Sequence, residues 1–135
     1  MKEFVLLDSC LLLRKSDILY VEIIKEDNII KVVNKYGHEY NINVVPTKFD
    51  DLIKQFVIEC NTTIKLVDIK YSNVFLNIDN VSSIEIRRCI FNKIEFYMLY
   101  IEWNSNYQLS KSFRLDKCNE TDLFELLCMI KDWGV

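Results

Sequence analysis

Hydrophobic and polar residues along this chain fall in short blocks, and most blocks carry the two-residue period of a half-buried strand. Glu3–Leu7 and Leu11–Leu13 are apolar runs separated by the polar pair Asp8-Ser9. Lys15-Ser16-Asp17 reads as a turn, and Ile18–Ile24 as a strand with Glu22 outward when Val21 and Ile23 point in. Lys25–Asn28 is a polar hairpin loop, Ile29–Val33 a strand, and Asn34–His38, which holds Gly37, a second turn. Glu39–Val45 alternates cleanly, with Tyr40, Ile42 and Val44 on one face and Glu39, Asn41 and Asn43 on the other. The period then changes. Phe49, Leu52, Ile53, Phe56 and Val57 recur at helical spacing, and Thr47 stands three residues before Asp50 as in a capping box, so a helix is predicted over Thr47–Cys60.

The second half follows the same course. Ile64–Tyr71 and Val74–Ile78 read as strands, Asp79-Asn80 as a turn, and Val81–Arg88 as a strand with Ile84 and Ile86 inward and Glu85 and Arg87 outward. Phe91–Lys93 makes a loop, and Ile94–Trp103 is a long strand apolar on both faces. Asn104-Ser105-Asn106 is a turn signal. Tyr107–Leu115 alternates Tyr107, Leu109, Phe113 and Leu115 against Gln108, Ser110, Ser112 and Arg114. A last helix, capped by Asn119 or Thr121, carries Leu123, Leu126, Leu127, Ile130 and Trp133.

The recurrence is also visible in the residues. Val74–Ile86 echoes Leu11–Ile23 without a gap at an offset of 63, with Leu13, Glu22 and Ile23 repeated as Leu76, Glu85 and Ile86. The expected fold class is therefore α+β: an internal duplication of a unit of several antiparallel strands followed by one helix. The repeats would span residues 1–62 and 63–135. A unit of that size alone buries a small share of its surface, and no Gly/Ser/Pro-rich linker joins the two, so the expectation is one pseudo-twofold body.

Composition narrows the function classes. Half of the 135 residues are hydrophobic, enough for a sizeable core, and 17 basic against 20 acidic residues give a formal net charge of −3. Neither half is a basic arm, which argues against a protein held mainly by phosphates. Ala is absent, Lys, Ile and Asn are abundant, and Gly37 and Gly134 are the only glycines, a bias matching an AT-rich bacterial or phage genome. The apolar start is broken by Asp8 and Ser9 with no small-residue cleavage site, and no apolar run approaches about 18 residues, so cytoplasmic localisation without membrane contact is expected. The five cysteines, Cys10, Cys60, Cys89, Cys118 and Cys128, are scattered and read as reduced thiols.

Candidate chemistry is sparse. There is no glycine-rich phosphate loop, dinucleotide fingerprint or nucleophile elbow. His38, the single histidine, sits in a turn and reads as solvated. Cys118, Cys128 and His38 could make a zinc site only from scattered ligands, and the acidic pairs Glu26-Asp27 and Asp50-Asp51 are explained by solvation and the helix dipole. No enzyme activity, metal or cofactor is therefore expected. The aromatic strand is the more informative feature. Tyr97, Leu99, Ile101 and Trp103 share one face, opposite Phe96, Met98 and Tyr100, and both faces need a cover. Tyr97, Leu99 and Trp103 are the candidate binding patch, with Arg87, Arg88 and Arg114 as a positive edge that Lys93 and Lys111 could extend.

Ser16–Glu22 (SDILYVE), the following hairpin and Tyr36–Tyr40 (YGHEY) resemble the opening of a LytTR-type DNA-binding domain over roughly Leu11–Phe56. The resemblance implies a β-rich transcriptional regulator that binds nucleic acid. The family's later basic segment has no counterpart after Cys60. The leading expectation is a non-enzymatic interaction protein, such as an inhibitor or toxin-immunity protein, that binds a protein partner or forms a homodimer. A nucleic-acid-binding regulator is the alternative.

Overall fold

Ile18–Ile24 (β3) lies at the centre of the fold, because branched residues fill both of its faces and strands pair with both of its edges. The computed structural model describes residues 3–8, 11–69, 72–104, 109–115 and 119–133. Before β3 come Phe4–Asp8 (β1), Leu11–Arg14 (β2) and a single 3-10 turn over Lys15–Asp17; after it come Ile29–Asn34 (β4), Glu39–Asn43 (β5) and the helix Phe49–Cys60 (α1). The chain continues with Leu66–Ile69 (β6), Val74–Asn77 (β7), a 3-10 turn over Ile78–Asn80, Val81–Phe91 (β8), Ile94–Trp103 (β9), Ser110–Leu115 (β10) and the helix Glu120–Trp133 (α2). This is an α+β protein in which every described ladder is antiparallel.

A five-stranded sheet in the order β5-β4-β3-β7-β6 forms the middle layer, flanked by the hairpin β1-β2 and the three-stranded sheet β10-β9-β8. Two cores result. In one, Val5 and Leu13 of the hairpin and Phe49, Phe56 and Cys60 of α1 pack on Val21, Ile23, Ile30, Val32 and Ile42, with Ile64 and Leu66 closing the end. In the other, Leu99, Ile101, Trp103, Phe113 and Leu115 of the smaller sheet and Leu123 and Leu126 of α2 pack against Val67, Leu76, Leu19, Tyr20 and Val33. The period-two pattern explains this division. Val21 and Tyr20 are neighbours in sequence and belong to different cores.

Some local details occur twice along the chain. The pairing of β3 with β4 slips between Ile18 and Tyr20, and that of β8 with β9 slips between Val81 and Ser83. The Lys15 N–H donates to Glu3 O at 2.8 Å and the Ile78 N–H to Lys65 O at 3.0 Å. Lys35 N–H donates to Asp17 O at 2.8 Å, and Asn104 N–H to Asn80 O at 2.7 Å. One contact is not matched. β3 pairs with β7, whereas no ladder joins β8 to β2 among the described residues, so a reciprocal twofold pair of junctions is absent.

Polar groups inside the protein are satisfied by distant residues. Lys15 is fully buried and its Nζ donates to the hydroxyls of Thr62 at 3.0 Å and Thr63 at 3.4 Å. Buried Asn77 donates from Nδ2 to the Ile18 carbonyl at 2.8 Å, and Asn80 reaches the same carbonyl at 2.9 Å. The helix starts correct one expectation. Pro46–Lys48 form a 3-10 turn and α1 begins at Phe49 with no side-chain cap, because that turn feeds directly into the helix and leaves Thr47 a turn upstream. The box occurs instead at α2. Asn119 Oδ1 accepts from the Asp122 N–H at 2.9 Å and Asp122 Oδ2 accepts from the Asn119 N–H at 3.1 Å. The expected turn over Ser105-Asn106 and the start of the strand at Tyr107 lie outside the described residues.

The β8–β9 hairpin is longer than the β3–β4 hairpin and turns on Asn92-Lys93, both at positive φ (50° and 64°). This is the arrangement of a type I′ turn, which prefers Asn-Gly. Lys93 pays a steric cost there that glycine avoids. Lys93→Gly is expected to raise stability by about 0.5–1 kcal/mol after the entropy cost of glycine, read as a higher denaturant midpoint at unchanged slope.

Candidate interaction surface

The surface is built from β8, β9 and β10. Cross-strand partners lie on the same face of a sheet, so the register assigns every side chain. On the inner face, Ile84 and Ile86 lie opposite Ile101 and Leu99, with Phe113 across from Leu99 on the other side. On the outer face, Glu85 lies opposite Tyr100 and Arg87 opposite Met98, with Ser112 and Arg114 as their neighbours on β10.

The candidate patch of Tyr97, Leu99 and Trp103 is thereby corrected. Leu99 and Trp103 are 0% and 4% exposed and belong to the second core, and Tyr97 is half-buried against it. Trp103 stacks on Tyr20 with ring centroids 5.7 Å apart, so the cover for this face comes from β3 of the same chain. The opposite face, Phe96, Met98 and Tyr100, is the one turned outward. The alternation of Ser110, Ser112 and Arg114 carried that signal, since those polar positions must share a face with Tyr100 and Met98 once the register is known.

The three arginines are placed as follows. Arg87 donates from Nε and Nη2 to the Glu85 carboxylate at 2.9 and 3.0 Å, and its guanidinium lies 4.4 Å from the Tyr100 ring centroid. The hydrogen bond from Arg87 holds the Glu85 carboxyl below the usual carboxylate range, and the same bond raises Arg87. Arg114 lies 4.5 Å from the Phe96 ring centroid on the same outer face. Arg88 points to the other face and pairs with Glu95 at 2.6 Å. The structure thus brings Arg87 and Arg114 together over aromatic rings, separates Arg88 from them, and pairs both Arg87 and Arg88 with carboxylates. An open depression of about 400 Å³ beside Arg87 is lined by Ser83, Glu85, Tyr100, Ser110 and Ser112.

The strands continue past the core, and their end was not singled out by sequence reasoning. Ile90, Phe91 and Ile94 are 68%, 69% and 62% exposed at the hairpin tip. Phe91 reads in sequence as part of a loop, but it closes the last pair of the ladder, opposite Ile94.

Groups capable of other chemistry are dispersed. His38 is exposed in its turn. Burial pushes the Cys60 thiol up to about 12, the reverse of what activates a thiolate. Cys89 and Cys128 are half-buried free thiols, and Cys10 and Cys118 lie outside the described residues. Among the described residues no three His, Cys, Asp or Glu side chains cluster as metal ligands, and no helix is long and apolar enough to cross a membrane. Comparison with protein-family models, curated proteins and solved structures gives no match.

Proposed function

We propose that this chain is a non-enzymatic interaction protein built by internal duplication, of the inhibitor or toxin-immunity kind, and that it binds a protein partner through the β8–β9 hairpin tip and the adjoining outer face. The duplication is supported by the repeated order of strands, 3-10 turn and helix, the two bulges at matching positions and the matching turn hydrogen bonds. Core positions correspond as well. Val5, Leu13, Val21, Ile23, Ile30, Val32 and Ile42 match Val67, Leu76, Ile84, Ile86, Leu99, Ile101 and Phe113.

The observation that carries the binding reading is the exposed trio Ile90, Phe91 and Ile94. The β3–β4 hairpin has no such projection, since it is shorter and closes at Ile24 and Ile29 around a polar Lys25–Asn28 loop. A protruding apolar tip beside arginines stacked on aromatic rings has the residue types that dominate protein interfaces. Its natural complement is an apolar cleft on another protein. The formal charge of −3 favours approach by a basic partner.

The test is capture from a lysate of the source organism on immobilised wild type, on Phe91→Asp/Ile94→Asp, and on Ile58→Asp, whose site on α1 is 65% exposed. A partner identified by mass spectrometry should be retained by wild type and Ile58→Asp and weakened more than about tenfold by the tip variant. Equal retention by all three would refute the tip as the site. Salt-sensitive retention of DNA or RNA in its place would favour the nucleic-acid regulator.

A further inference from the structure

We infer that the free edge of β8 is a docking site for β2 of a second copy of this chain, in the register that β7 uses on β3. The inference rests on the duplication proposed above and concerns a different surface from the hairpin tip. Within one chain, β3 accepts β7 with Tyr20 opposite Leu76, Val21 opposite Phe75 and Glu22 opposite Val74. Carried one repeat along, these pairs become Ser83 opposite Leu13, Ile84 opposite Leu12 and Glu85 opposite Leu11. Both strands have an edge available for this pairing. Among the described residues β8 is terminal in its sheet and β2 pairs only with β1.

The side chains show what each edge lacks. Val21 is 1% exposed under the cover of β7, while its counterpart Ile84 is half-buried on the uncovered edge. The cover on the first repeat is Phe75 and Leu66, which pack into the core around Val21 and Ile23. Their counterparts in the β1–β2 hairpin are Leu12 and Phe4, respectively 59% and 40% exposed on one face with Leu6 between them. Leu127 of α2, also exposed, belongs to the helix whose core holds Ile84 and Ile86. One copy therefore displays the apolar knobs and the other the half-covered core that such knobs fill within the chain. The charged Arg14, over the Phe4 ring at 4.5 Å and paired with Glu3, falls beyond the last strand pair and stays at the margin. The Ser82-Ser83 and Glu102 positions, polar where the first repeat has Leu19, Tyr20 and Val33, limit the contact to the β8 edge and its inner face.

Such a contact is heterologous: each added copy leaves one β2 and one β8 edge free, so the copies assemble as a ring where the rotation closes and as a filament where it does not. Sedimentation velocity of the full chain, from low micromolar to near-millimolar concentration, tests it. Wild type should show concentration-dependent species above the 16.1 kDa monomer. Leu12→Lys, at an exposed site, should keep the circular dichroism spectrum and weaken association more than about tenfold, while Ile58→Lys should associate as wild type does. A wild type that is monomeric throughout, or a Leu12→Lys variant that associates unchanged, overturns the inference. Register is read separately. Chains carrying Leu12→Cys, mixed with chains carrying Ile84→Cys, should form a disulfide-linked heterodimer absent from either variant alone. Loss of association in Leu12→Lys without that cross-link overturns the transposed register and the duplication behind it. Leu12→Lys leaves the hairpin tip untouched, so it should still capture the partner of the preceding test.

Discussion

Tyr20→Ala is expected to cost about 3–5 kcal/mol, the range for truncating a buried aromatic, against a total stability of about 5–15 kcal/mol for a domain of ordinary size. Tyr20 is the central link between the middle sheet and the smaller one. Its ring stacks on Trp103 at 5.7 Å and meets Phe113 edge-on at 5.2 Å, so removing it opens a void between β3, β9 and β10 at once. Urea titration followed by circular dichroism measures the loss. Trp103→Ala in the Tyr20→Ala background should add less than it does alone, because the two rings share one contact. Tyr20→Phe separates ring from hydroxyl. Burial, reinforced by Glu22 and Glu39, pushes the Tyr20 phenol up to about 12. Below the unfolded value of about 10 both states keep the proton and the stabilisation is complete. Between about pH 10 and 12 the unfolded phenol ionises and the folded one does not. The unfolded state then binds fewer protons, and stability falls as pH rises. Wild type should therefore lose of the order of 2 kcal/mol more than Tyr20→Phe across that window, measured as the difference between their denaturant midpoints.

The position of Tyr20 shows where sequence stops being informative. Ile18–Ile24 is legible as a strand because its branched residues and flanking polar turns are local signals, and its observed bounds are the same. The bulge that lets Leu19 and Tyr20 both enter the second core is not legible. It depends on how β3 and β4 slip past one another, and nothing in the alternation marks it. Lys15 is a similar case. By residue type it belongs in solvent, and the hydroxyls that receive it lie on Thr62 and Thr63, close in space only after α1 has folded back. The candidate site was half legible for the same reason. The sequence of the Tyr/Trp strand shows that both its faces need a cover, but which face the chain itself covers is a matter of register with β8 and β10. Register comes from long-range pairing and not from the strand's own pattern.

Leu99→Ala, on the inner face of β9, is expected to cost about 2–5 kcal/mol in stability and to leave partner binding by the folded fraction unchanged. Leu99 is 0% exposed, lies between Ile86 on β8 and Phe113 on β10, and belongs to the core that α2 closes through Leu123 and Leu126. A binding residue truncated to alanine lowers affinity while the denaturant midpoint stays put; a core residue does the reverse. The cost within the range depends on collapse. Leu99 is central in its sheet, with hydrogen-bonded strands on both sides, so the backbone cannot close over the missing methyl groups and the upper half of the range is expected. The measurement pairs a urea titration of Leu99→Ala with retention of the captured partner at a temperature where the variant is still folded. A small midpoint shift with lost retention would return the inner face to the interface; a large shift with retention intact leaves binding to the outer face and the tip. Leu99→Met, which conserves volume at the same site, should cost less than about 1.5 kcal/mol, which separates the packing defect from any special demand for leucine.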